Sequence, residues 1–175
     1  MLIFKFLIVT LLVLYSTWCH AHPPGLSSLD VSLTDTQIDV KVTFALQDIE
    51  AFSPMDSDLD AEVSDAEREA AKPAIAKLMA EQFDIVIDNQ PVKPAVSGLV
   101  TFDVQNNAQV TFSYAAVPQK QLQVQSNFLS LLPDGHQQYL TIRAVDGRVL
   151  QEKMLGKQNV QAVLDISERE ADDAS

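Results

Sequence analysis

Between residues 37 and 46 the chain alternates: Ile38, Val40, Val42 and Phe44 fall on one parity, Asp39, Lys41 and Thr43 on the other. Successive side chains of an extended strand point to opposite faces, so this stretch has one apolar face and one polar face. A helix would mix the two sets. The same period of two recurs, more briefly, at residues 28–33, 84–88, 99–104, 109–117, 122–126, 139–145, 148–155 and 160–166. Turn-forming residues separate them, among them Thr34-Asp35-Thr36, Asn89-Gln90-Pro91, Gln105-Asn106-Asn107-Ala108, Pro133-Asp134-Gly135 and Asp146-Gly147. The last is expected to be a two-residue I′ hairpin turn. About eight or nine short strands at this spacing predict a mainly β (α+β) fold, an antiparallel Ig-like β-sandwich forming a single domain over residues 22–166.

The alternation fails between residues 47 and 83, which therefore read as an insert. Leu46, Ile49 and Phe52 fit a short helix stopped near Ser53-Pro54. A longer helix is expected from Asp65 towards Phe83, with Ala66, Ala70, Ile75, Leu78 and Met79 as its buried stripe. Pro73 lies inside it and removes the hydrogen bond to Glu69, so a kink or break is expected near Ala71 and Lys72.

Between those helices lies Asp56-Ser-Asp-Leu-Asp-Ala-Glu-Val-Ser-Asp-Ala-Glu67. Aspartates at loop positions 1, 3 and 5, an apolar residue at 8 and Glu at 12 have the ligand spacing of an EF-hand calcium loop. Asp56, Asp58 and Asp60 would give one oxygen each and Glu62 its backbone carbonyl. Ser64 would bind directly or through water, and Glu67 would close the site with both carboxylate oxygens. Position 6 is Ala61 where glycine is usual, and a left-handed backbone costs a non-glycine residue roughly 1–2 kcal/mol. Weak Ca2+ binding is the expectation. Ser64-x-x-Glu67 is also a capping box, which accounts for those two residues with no ion. A capped acidic loop without a metal is the alternative.

Residues 1–21 have the pattern of a signal peptide. Lys5 precedes a mostly apolar run of 13 residues, 6–18, and Ala21 is a small residue at the expected cleavage point. A spanning helix needs about 20 apolar residues, so an uncleaved anchor is the lesser reading. Lipidation at Cys19 is disfavoured by the bulk of Trp18. Export to the periplasm or the extracellular space follows. The mature chain would start at His22 and hold 154 residues, and loss of Lys5 alone takes the net charge from −12 to −13. So acidic a chain is a poor partner for nucleic acid or anionic lipid. Its single cysteine leaves with the leader, so no disulfide can stabilise the mature domain. Residues 167–175, acidic and rich in small side chains, are expected to be a disordered tail or linker.

The start Ala21-His-Pro, the acidic loop with its proline-bearing helix, and Leu132-Pro-Asp-Gly-His136 together resemble the extracytoplasmic N-terminal domain of HupE/UreJ-type bacterial membrane proteins. That resemblance implies a β-rich exported domain, a metal-permease or accessory context, and a membrane protein or membrane domain in cis as partner. The sequence given stops at Ser175, where membrane helices would begin, so a tether through a missing C-terminal part is one expectation and a freestanding relative the other. It also draws attention to His22 and His136 as ligands for Ni2+ or Cu2+, since a freed N-terminal amine and imidazole nitrogens suit those ions. The plainer account has His22 merely following the cleavage site and His136 capping a surface turn.

Nothing in the chain matches a nucleophile elbow, an HExxH zinc motif or a phosphate loop. A non-catalytic binding module is therefore expected.

Overall fold

The computed structural model describes residues 25–166. The leader, His22 and the acidic tail lie outside the described residues. In chain order the elements are β1 (Leu26–Leu33), β2 (Ile38–Ala45), α1 (Leu46–Glu50), α2 (Asp65–Gln82), β3 (Phe83–Ile87), β4 (Gln90–Val92), β5 (Val96–Phe102), β6 (Asn107–Tyr114), β7 (Gln121–Ser126), a 3-10 turn (Asn127–Leu131), β8 (Gln137–Arg143), β9 (Val149–Gly156) and β10 (Gln161–Asp165).

The strands make two sheets, a six-stranded one ordered β5-β6-β2-β1-β8-β9 and a four-stranded one ordered β10-β7-β3-β4. Alternation decides what faces inward. Leu29 and Val31 of β1, Ile38 to Phe44 of β2 at every second residue, and Val110, Phe112 and Tyr114 of β6 are buried. From the other sheet Phe83, Ile85, Leu122, Val124 and Leu164 meet them in one core. The Phe83 and Phe112 rings stack between the layers, centroids 6.2 Å apart. At one edge Gln151 Nε2 and Lys153 Nζ donate to the carbonyls of Val163 and Gln161, joining β9 to β10. The β-sandwich expected from the alternation is the observed architecture.

Three local expectations are corrected. The six-stranded sheet is mixed, because β1 pairs parallel to β8. The β8–β9 connection is not a two-residue I′ turn. Only Gly147 has positive φ, its amide bonds to the Ala144 carbonyl, and the pairing slips between Ile142 and Arg143. A longer loop closed by a glycine bulge results, with the Asp146 carboxylate accepting from the Arg148 amide at 2.9 Å. The β3–β4 turn is tighter than expected. Asp88 and Asn89 both take positive φ, and Pro91 sits within the edge strand β4, where its missing N–H does no harm.

The insert crosses between layers, leaving the large sheet at β2 and entering the small one at β3. α2 runs unbroken through Pro73. Its buried face is Ile75 and Met79, flanked by Ala71, Ala76 and Ala80, while Ala66 and Ala70 are exposed and Leu78 only half-buried. The helix docks through its C-terminal half. Its first turns are held at the surface by Arg68, which lies 6.0 Å over the Phe102 ring and bonds Asn106 at 3.0 Å.

Candidate metal centre

The loop between α1 and α2 is pinned at both ends by apolar residues. Met55 is buried and its amide bonds Glu50 Oε1 at 2.8 Å, while Val63 packs partly against the core. Between these anchors the backbone is tightly wound. Leu59 and Ala61 hold φ of 63° and 70°. Asp56 fastens the bend, accepting from the Leu59 amide with Oδ1 (2.7 Å) and from the Ala61 amide with Oδ2 (3.0 Å). Asp60 Oδ1 accepts from the Glu62 amide at 2.8 Å.

This winding brings Asp56, Asp58 and Asp60 together, each offering a carboxylate oxygen within 4.8 Å of the others. Glu67 is not part of that cluster. Its Oε2 takes the Ser64 amide and hydroxyl, both at 2.9 Å, and its Oε1 takes the Ser57 amide at 2.6 Å and hydroxyl at 2.8 Å. Ser64 Oγ in turn accepts from the Glu67 amide, completing a capping box at the start of α2. Hydrogen bonds from the Ser64 and Ser57 amides, then from their hydroxyls, hold the Glu67 carboxyl down at about 2. Glu62 is exposed and contributes its backbone to the bend.

The donor set suits a hard divalent cation: carboxylate oxygens on alternate residues, on a bend that already holds the left-handed turn at position 6. A Glu67 oxygen can join only by giving up its bonds to Ser57 or Ser64.

His136 lies elsewhere, and not on the surface. It precedes β8 and is buried, with Nε2 3.0 Å from Ser27 Oγ and Nδ1 3.7 Å from Asp48 Oδ1. Burial pushes the Asp48 carboxyl up against the opposing pull of His136, and burial pushes the His136 imidazole down. The order Ser, His, Asp resembles a hydrolytic triad. However, Ser27 is 3% exposed on a strand paired at both edges, which leaves a substrate no approach to its hydroxyl. His22, its expected co-ligand, lies outside the described residues.

Sequence reasoning missed Asp48, Ser27 and Gln138. A signal was there for two of them. Ser27 shares parity with Leu29 and Val31, and Gln138 with Leu140 and Ile142, so each is a polar residue at an inward position. Asp48 left no comparable trace, because α1 is five residues long and its orientation depends on what it packs against.

No protein-family model matches the chain, and no curated protein matches it well enough to count as a relative.

Proposed function

We propose that the chain is an exported, non-catalytic binding module whose loop from Asp56 to Glu67 holds one weakly bound calcium ion. The observation that supports this is the convergence of the Asp56, Asp58 and Asp60 oxygens within 4.8 Å of one another. Three like charges so close repel unless a cation sits among them. The ion's role is to fasten the insert, since the loop has no second EF-hand to pair with among the described residues.

The affinity belongs in the range of extracellular modules, about 10⁻⁴–10⁻³ M, because Ala61 strains the bend and Glu67 is already engaged. With calcium at about tenfold over Kd, linkage adds roughly 1.4 kcal/mol, a rise in Tm of about 3–6 °C. Thermal melts of the chain from His22, with calcium and with a chelator, test this. The calcium-dependent rise is expected in the wild type and absent in Asp58→Ala and Glu67→Gln. Equal melting temperatures with and without calcium in the wild type would sink the reading.

A further inference from the structure

Of the six buried polar side chains among the described residues, five form one cluster at one end of the sandwich. Ser126 of β7 bonds Gln138 of β8 at 2.8 Å. Gln138 pairs in register with Ser27 of β1, whose hydroxyl meets His136, which faces Asp48 of α1. Three polar atoms in this cluster lack what burial demands, one of them Gln138 Nε2. His136 Nδ1 and Asp48 Oδ2 have no hydrogen-bond partner among the described residues, although the side chains are 0% and 8% exposed. Buried polar atoms without partners are rare in native folds, and one recognised cause is a bound ion.

The spacing separates a hydrogen bond from a shared ligand. Nδ1 and Asp48 Oδ1 are 3.7 Å apart, beyond the N–H···O range of about 2.7–3.2 Å. Two donors at about 2.0–2.2 Å from a single ion, and 3.7 Å from each other, subtend roughly 115–135°, near the trigonal angle or somewhat wider. The ring's other side is already committed. Nε2 lies 3.0 Å from Ser27 Oγ, which leaves Nδ1 as the ring nitrogen that faces the carboxylate. A metal-bound imidazole is held in just this way by its remote nitrogen. Gly25 closes one wall: a Cβ there would lie 2.4 Å from Nδ1 and 2.8 Å from Asp48 Oδ1.

We propose that His136 Nδ1 and the Asp48 carboxylate bind one divalent transition-metal ion of the zinc, nickel or copper class, with Ser27 as the residue that positions the ring. Any further ligand to the ion would be water or a backbone oxygen. Imidazole with carboxylate suits these ions and not calcium, so this site and the acidic loop load independently. The inference does not rest on the calcium reading, and it gives His136 a partner, Asp48, from within the fold.

The chain from His22, labelled with 15N-histidine, is titrated with Zn2+ in saturating calcium, which occupies the acidic loop. The two histidine signals are told apart by His22→Gln. One equivalent of Zn2+ is expected to shift the His136 Nδ1 resonance while Nε2 stays protonated. Calorimetry is expected to show Zn2+ binding lost in His136→Gln and Asp48→Asn. Ser27→Ala should weaken it about 10-fold or more and mix the ring tautomers. A His136 Nδ1 resonance unmoved at saturating Zn2+ overturns the proposal, as does binding that survives both ligand substitutions. Should those variants fail to fold, the wild-type Nδ1 resonance decides alone.

Discussion

Ala61 shows how much the acidic bend asks of one residue. Its φ of 70° is a conformation glycine adopts freely and alanine at a cost of roughly 1–2 kcal/mol. Glycine also loses more freedom on folding, by about 0.5–1 kcal/mol relative to alanine. The difference predicts that Ala61→Gly stabilises the protein by up to about 1 kcal/mol, measurable as a higher urea midpoint at unchanged slope. A lower midpoint would show that the bend relaxes in solution. Gly25 is the converse case. Its constraint is space, because the His136 ring is buried and has nowhere to retreat from an added Cβ. Gly25→Ala should therefore cost about 1–3 kcal/mol, the usual penalty for overpacking.

At the scale of the element, α2 sets a local disadvantage against a tertiary gain. Proline in a helix interior costs roughly 3 kcal/mol, and yet the helix is continuous from Asp65 to Gln82. Ile75 and Met79, fully buried two and six residues beyond Pro73, supply the packing that offsets it. Pro73 is itself exposed, so Pro73→Ala should raise stability by about 1–3 kcal/mol. Ile75→Ala should lower it by about 2–5 kcal/mol and free the insert, seen as faster amide exchange in α2 than in the sheets. The kink or break expected near Ala71 and Lys72 followed from proline chemistry alone, and of the two the break does not occur. The buried stripe was misjudged at Ala66 and Ala70 for a related reason. Alanine suits either face of a helix, and only the position of β5 beneath α2 selects the face carrying Ala71, Ile75 and Met79.

For the whole molecule, acidity is the variable to test. Asp88 accepts from the Gln121, Lys120 and Gln119 amides, which hold its carboxyl below the ordinary value and tie the β3–β4 turn to the lead-in of β7. Asp103 is lowered by bonds from Asn107 and closes the β5–β6 turn. A carboxyl depressed in the folded state contributes stability that is present above its unfolded value, near 4, and is lost as pH falls through the folded value. Stability is therefore expected to fall as the solution is acidified below about pH 4. Asp88→Asn should lower Tm at neutral pH and converge with the wild type in acid. A difference between the two that persists at full size at pH 2 would contradict this.

Much of the architecture was legible in the chain. Alternation at Ile38, Val40, Val42 and Phe44 set the inward face of β2, and aspartates spaced by two marked the acidic bend, because both patterns are local and survive without knowledge of neighbours. The side-chain commitments of Glu67 were half legible: the capping box was written in Ser64-x-x-Glu67, the bonds from Ser57 were not. What required the tertiary structure was every pairing between distant segments. The parallel seam of β1 with β8 brings Ser27 beside His136 across 109 residues, and α1 then delivers Asp48 to the same point. Periodicity states which face of a strand is wet, but only packing decides which strand lies next to it.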